Sequence, residues 1–329
     1  MSRFLFRRLL NMIPLLVGIT FISFLAMSLA PGDFLSSLKL DPRISPQVIR
    51  QMRAEFGLNR PLPVRYVKWL WGVLHLNLGI SLEYRVPVTS LIWARAFNTI
   101  VLSACSMVFA WAIAIPIGIA VAVNQNSIWD RILSFLAFFG MSVPNFFLAF
   151  LMMYLALKID HPNYLPIGGT FSVDYASLGF WSKIADRINH LILPVFVLGL
   201  AGMAGLMRLM RSQIIEIKNS EFVRTARAKG LSERAVIYKH VLRNALNPFV
   251  TMAGYSLGDL LGGAALVEAV MNLQGLGLLL LNAVRSLDIY LVMGSVLMGT
   301  VLLLVGNLLA DVALVAVDPR VDFSSEAAQ

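Results

Sequence analysis

From Ala96 to Val123 the chain carries no charged residue, and the same holds from Leu9 to Ala30 and from Ile289 to Ala310. About 20 apolar residues in a row make a helix long enough to cross the hydrocarbon of a bilayer. In that hydrocarbon every backbone amide and carbonyl needs an internal partner, which a helix provides by itself. Composition agrees: 58% of the residues are hydrophobic and 14% are charged, against roughly 25% charged in a soluble domain. The expected fold is an all-α integral membrane protein.

Three more runs complete a set of six spans: Ile132–Leu157 with Pro144 inside it, Leu191–Met207, and Leu246–Val270. Pro116 and Gly118 are expected to kink the second span. The charged head Arg3, Arg7 and Arg8 precedes the first run, which is too long for a signal peptide and reads as a retained span. The expected organisation is 1–30 for the N-terminal tail and first span, 31–95 for a long polar loop, and 96–329 for a five-span core. That core includes a polar segment at 212–247.

Within the long loop, Ser45-Pro46 opens an expected helix that ends at Gly57, and Pro61-Leu62-Pro63 interrupts it. Tyr66, Trp69, Leu70, Trp71 and Val73 suggest a second amphipathic segment whose aromatics form an interfacial belt. Cys105, the only cysteine, excludes an intrachain disulfide and reads as a small packing residue.

Glu221–Leu246 is the longest C-terminal run that cannot sit in lipid. Ser220 can N-cap a short helix, with Glu221 at the positive end of its dipole. Arg227 and Lys229 fall in its last turn and Gly230 at its C′ position. Ser232 and Glu233 start a second helix, which Asn247-Pro248 closes. Phe222, Val223 and Ala226 make a small apolar face on the first helix, and Ala226 and Gly230 leave room for another surface to approach. Ile237, Val241 and Ala245 make a stripe on the second. Two readings fit this pattern: a solvated basic loop at a membrane surface, or a docking helix for a cytosolic partner.

The net charge is +9. In a membrane protein such an excess points to cytoplasmic loops and anionic lipid, not to nucleic acid. The long loop holds nine basic residues, from Lys39 to Arg95. Loops of that length cross largely regardless of charge, so the short segments decide orientation. Arg3, Arg7, Arg8, Arg131, Arg320 and the dense set from Arg208 to Arg243 fall on one side. Lys158, Lys183, Arg187 and Arg285 fall on the other. The termini and the Glu221–Leu246 stretch are therefore expected in the cytoplasm, and Arg208 and Arg211 are expected to snorkel at the end of the fourth span.

No histidine pair stands at metal-ligand spacing, and neither Gly-x-Ser-x-Gly nor a Walker loop occurs. No catalytic residue, metal site or cofactor is expected, although a membrane enzyme or assembly factor is the alternative class. In the fifth span Gly254, Gly258 and Gly262 recur every four residues and make a flat face for close helix packing. Asp259 and Glu268 are ionisable groups in or near the membrane, where such groups face a cavity or a partner. Asp259 also fits a buried hydrogen bond, and Glu268, near the outer end, fits simple solvation.

The wording RTARAKGLSERAV followed by HVLRNAL resembles the coupling-loop motif of ABC importer permeases, in the variant of the dipeptide/oligopeptide family. That motif reads Glu-Ala-Ala, three residues, Gly, nine residues, Ile-x-Leu-Pro. Gly230 is in register, while Arg224, Thr225, His240 and Arg243 depart from it. The resemblance extends to FLFRRLLNMIPLLVGITFISF with APGD, FGLNRPLPVRYVKWL, SVPNFFLA, LPIGG with HLILPVFVLGL, GGAALVEAVMNLQGLG and NLLADVALVAVDPRV. PGDF in place of the commoner PGDP is a minor departure.

The resemblance implies a non-catalytic permease subunit of the type I importer fold, moving di- or oligopeptides by alternating access. A nickel, glutathione or other small-solute importer of the same family is the alternative. It implies a second homologous permease packed across a pseudo-twofold axis, two cytosolic ATPases that bind ATP and Mg, and an extracytoplasmic substrate-binding protein. It also implies ATPase coupling through Glu221, Phe222, Arg224, Ala226, Arg227, Lys229 and Gly230. Gly254, Gly258 and Gly262 would then pack helices, and Asp259 and Glu268 would line the path.

Overall fold

The computed structural model describes residues 2–38, 44–159, 165–249, 252 and 264–317. It is all-α: no strand occurs among the described residues. Four helices are long and apolar enough to cross a membrane, or five if one bent pair is a single span. These are α1 (Ser2–Leu29), α5 (Val88–Val123), α8 (Phe180–Lys218) and the final helix Ile289–Val317. The 39 residues of α8 extend about 58 Å at 1.5 Å per residue. That is nearly twice the hydrocarbon thickness of about 30 Å, so α8 is too long to lie wholly within it. Of the expected fifth span, 250, 251 and 253–263 lie outside the described residues.

The bent pair is the expected third span. It is two helices, α6 (Ile128–Ser142) and α7 (Asn145–Ile159), which meet at 104°. Pro144 has no N–H to offer the ladder and forbids a helical conformation at the residue before it. Val143 accordingly sits at φ −89°, ψ 122°, in the extended region. Pro116 has no comparable effect, since α5 continues unbroken through it.

The chain forms two compact units. The first comprises residues 1–99 and 274–304. In it α3 (Pro46–Glu55) follows the expected pattern: the Ser45 hydroxyl accepts from the Val48 amide, and Gly57 ends the helix at φ +66°. The segment α4 (Leu62–Leu74) is amphipathic, but its aromatics do not all form a belt. Tyr66 and Trp69 are buried with Phe24 of α1, and Trp71 alone of the three is exposed. Burial requires partners for their polar ends: the Tyr66 hydroxyl donates to Val17 O at 2.9 Å and Trp69 Nε1 donates to Leu78 O at 3.2 Å. Asp288 is also fully buried. It accepts from the Leu291 amide at the start of the final helix, from Ser81 Oγ at 2.6 Å and from the Glu83 amide.

The second unit comprises 100–273 and 305–329. Among the described residues its helices approach closely at two glycines, Gly118 and Gly199. A methyl group at Gly118 would lie 2.7 Å from the Met210 Cβ, and one at Gly199 would lie 2.4 Å from the Phe109 ring. Cys105 does not pack inside this chain, because its face of α5 is exposed. Arg208 and Arg211 lie within α8, which continues seven residues beyond Arg211 to Lys218. The Arg208 guanidinium stacks 4.8 Å from the Phe138 ring centroid, and Arg211 binds the buried Asp130.

Candidate functional site

The polar stretch beyond α8 folds into two short helical pieces hinged at a glycine. The first, α9 (Glu221–Ala228), starts at Ser220, whose backbone is extended at φ −73°, ψ 154°. The Ser220 hydroxyl does not cap α9; it donates to Ile217 O at 2.6 Å, finishing the preceding helix instead. Glu221 lies in the first turn and Arg227 in the last. Lys229 is the C-cap residue, and Gly230 follows at φ +76°, the left-handed conformation that glycine adopts without a Cβ penalty.

A helix of eight residues is marginal on its own, and α9 is held by one face. Val223 and Ala226 are buried in a cluster with Met210, Ile214, Val236 and Val241. The small size of Ala226 therefore serves packing inside this chain. Phe222, expected on the same face, points outward and is 47% exposed. Glu221, Arg224, Lys229 and Gly230 are exposed beside it.

The second piece begins at Ser232, whose hydroxyl accepts from the Ala235 amide. After Glu233–Ala235 it widens into a π-helix over Val236–Val241, then narrows to Leu242–Ala245. The wide turn brings residues five apart onto one side. Val236 and Val241 are both fully buried, with Ile237 and Ala245 beside them. Tyr238, on the other side, is exposed.

Arg227 ties the two pieces together. Its Nε and Nη2 donate to the two carboxylate oxygens of Glu233 at 3.0 and 2.8 Å, across the Gly230 hinge. The Glu233 carboxyl is held below its ordinary value, first by the hydrogen bond from Arg227. The Arg227 guanidinium is pushed up by the same bond. Arg224 makes a different pair, with Glu221 one turn earlier at 2.9 Å, and both of these side chains are exposed. So Arg227 braces the hinge, while Phe222, Arg224 and Lys229 stay at the surface.

Gly254, Gly258, Asp259 and Gly262 lie outside the described residues. Glu268 is fully buried, so it is not a solvated outer residue. It sits in the helical residues 264–270, which pack with Leu148, Leu193 and Val197. The turn at 166–169 closes on the end of this segment. The Gly169 amide donates to Met271 O at 2.8 Å, and a Cβ at Gly168 would lie 2.8 Å from that same oxygen. Only glycine fits there, which gives the Gly168-Gly169 pair a physical reason.

Among the described residues no group of three or more His, Cys, Asp or Glu side chains is placed to hold a metal ion. The Asp130–Arg211 pair and the π-turn were not read from the sequence. Asp130 is three residues after Ser127, a capping spacing, but its partner is 81 residues away.

The comparisons with known proteins cover nearly the whole chain. Residues 114–323 match the family described as binding-protein-dependent transport system inner membrane component. Residues 1–103 match its N-terminal companion, binding-protein-dependent transport system membrane component, N-terminal. The oligopeptide transport system permease protein AppB of Bacillus subtilis (strain 168) is 39% identical over 98% of this chain and 100% of its own length. The dipeptide transport system permease protein DppB of Escherichia coli (strain K12) is 37% identical, over 98% and 99%. The glutathione transport system permease protein GsiC of Salmonella paratyphi A is 37% identical, over 98% and 100%. With several apolar helices of spanning length and both family models matched in register, the chain belongs to the inner membrane components of binding-protein-dependent transport systems.

Proposed function

We propose that this permease subunit moves di- or oligopeptides across the inner membrane by alternating access, driven by ATP hydrolysed on other chains. Its partners in this reading are a second homologous permease, two cytosolic ATPases and an extracytoplasmic substrate-binding protein. ATP and Mg belong to the ATPases, and this chain binds no cofactor. The peptide assignment rests on full-length relatives named for oligopeptide and dipeptide transport. A glutathione importer is the second reading, favoured by GsiC at similar identity. Glutathione is itself a small peptide, so both readings ask the path to pass a peptide backbone.

The observation that carries the coupling role is the division of labour on α9. Val223 and Ala226 anchor it, while Phe222, Arg224 and Lys229 stay exposed. An exposed aromatic with basic neighbours on a braced helix is the composition of an interface anchor. A force applied to Phe222 reaches α8 through the buried cluster around Met210 and Ile214. ATP then acts by favouring one conformation differentially, because equal binding to both would shift nothing. Asp259 and Glu268 are assigned to the path in this reading.

The test is co-expression with the neighbouring ATPase, binding-protein and second permease genes. Phe222→Glu should leave the chain in the membrane but reduce ATPase co-purification and labelled dipeptide uptake. Full uptake by that variant would remove α9 from the coupling role. Competition of uptake by glutathione, but not by unlabelled dipeptides, would select the second reading.

A further inference from the structure

Three arginines cluster around the corner from α3 into α4: Arg53 at the end of α3, Arg60 on the connection and Arg65 in the first turn of α4, with Arg60 and Arg65 both acting electrostatically on Tyr290. Arg53 is paired with Asp33, just past the end of α1, and Ser36 also donates to that carboxylate. Among the described residues Arg65 has no such partner. Its guanidinium lies 5.7 Å from the Phe24 ring centroid, and its Nε is buried without a hydrogen-bond partner. The carboxylate that acts on it electrostatically is Asp33, already engaged by Arg53. The Tyr290 hydroxyl, which also faces it, donates to Phe56 O at 2.8 Å. Burial pushes the Arg65 guanidinium down from its ordinary value, and the charge of Arg53 adds to that. A half-buried guanidinium with a donor left over can give a charge-assisted hydrogen bond to an anion.

The level of this cluster follows from α1. Phe24 is five residues before Leu29, the end of that helix, or about 8 Å along its axis. Thr20, whose hydroxyl lies 3.0 Å from the Tyr66 hydroxyl, is deeper still, at about 14 Å. So α4 is packed alongside the last turns of a spanning helix. An interfacial helix buries its apolar face about 5–10 Å into the headgroup and acyl boundary.

The outward side of α4 fits that level. Val64, Val67, Trp71 and Leu74 recur at helical spacing on the face opposite Tyr66 and Trp69, and all four are exposed. Phe21, Ile22, Leu25 and Leu29 of α1 are exposed as well, extending the apolar surface into the span. On the helical wheel Arg65 and Lys68 lie along one edge of the α4 face. An exposed apolar face, edged by Lys68 and by the Arg65 guanidinium with its unpartnered Nε, matches an acyl chain with a phosphate above it.

We propose that Arg60 and Arg65 bind the phosphate of an anionic phospholipid whose acyl chains lie on the exposed faces of α4 and α1. Arg53 and Asp33 hold the connection in place, and Arg65 supplies the buried donor. The charge chemistry alone would also accept free phosphate; the apolar face assigns the ligand to a lipid.

The experiment is native mass spectrometry of the full-length chain, released from mixed micelles containing equal amounts of phosphatidylglycerol and phosphatidylcholine. The wild-type protein should retain phosphatidylglycerol in about fivefold excess for each arginine engaged. Arg65→Gln and Arg60→Gln should each reduce that excess about fivefold and leave phosphatidylcholine retention unchanged. Arg60 is exposed, so its variant keeps the fold and tests the site even if Arg65→Gln does not express. Val67→Gln should lower retention of both lipids. Equal retention of the two lipids by the wild type, or an unchanged excess in Arg60→Gln and Arg65→Gln, overturns the proposal. Displacement of phosphatidylglycerol by millimolar inorganic phosphate would also overturn it, in favour of a free-anion site.

Discussion

Arg211 grips the buried carboxylate of Asp130 with two parallel hydrogen bonds, from Nε at 2.8 Å and from Nη2 at 2.9 Å. The same carboxylate accepts from the Asn126 amide at 2.9 Å and from Ser134 Oγ at 3.2 Å. The fork ties the start of α6 to α8, ten residues before α9 begins. The two partners are unequal: the Asp130 side chain is 5% exposed and that of Arg211 is 29% exposed. Removing Arg211 strands a buried anion, whereas removing the Asp130 charge leaves a cation that can reach water.

Arg211→Met should therefore destabilise the protein by about 3 kcal/mol, near the lower end of the range for breaking a buried pair. Asp130→Asn should cost clearly less, and the double variant should recover much of the Arg211→Met loss. Thermal unfolding of the purified chain in detergent, followed by size-exclusion chromatography, measures all three. Equal losses in the two single variants would show that burial does not set the asymmetry.

Gly230 separates backbone strain from contact with a partner. A Cβ at this position would meet nothing within 4 Å, so within the chain only the φ of +76° resists substitution. Gly230→Ala should cost about 1 kcal/mol, and Gly230→Asn less, because Asn tolerates the left-handed region. Gly230→Leu should insert normally but lose ATPase co-purification and uptake well beyond the Ala variant. Identical behaviour of the Leu and Ala variants would assign the whole effect to strain.

The Arg227–Glu233 brace should weaken in acid. Glu233 has its folded value depressed by the Arg227 hydrogen bond. Its contribution is present above the ordinary carboxylate value of 4.5 and is lost as pH falls through the lower folded value. Both groups are partly exposed, so the effect is local. Hydrogen exchange of the α9 amides should accelerate, relative to the intrinsic rate, below pH 4.5 in the wild type. Glu233→Gln should show the faster exchange already at neutral pH. Identical exchange in both proteins across this range would remove the brace.

Labelling tests the orientation expected from the short-segment charges. Cys105 is exposed, so the background must be Cys105→Ser. In it, Ser232→Cys should react with an impermeant maleimide only from the cytoplasmic side, and Ser45→Cys only from outside. Reaction of both from the same side would break the six-span scheme.

Much of this protein is local and therefore legible in the residue order. The uncharged runs 9–29, 96–123 and 289–310 lie within α1, α5 and the final helix, because in lipid a single chain segment satisfies its backbone only as a helix. The ends of α3 and α9 were legible for a similar local reason: Ser45 caps through its own hydroxyl, and Gly57 and Gly230 act through their backbone conformation. Family wording around Gly230 identified the transport class, which the family models show.

What tertiary structure decided is which side of each helix is inside. Val223 and Phe222 are neighbours of similar hydrophobicity, yet one is fully buried and the other is 47% exposed. Periodicity over eight residues is too short to choose between them. Tyr66 and Trp69 look like interfacial residues until Phe24 of α1 packs on them. The break at Pro144 has its cause in sequence, but proline tolerates both a kinked span and a 104° corner. Asp130 found its partner 81 residues away, and Arg65 its ring on another helix. Pairings over such separations depend on how long helices pack, and packing is a property of the folded chain that no local pattern contains.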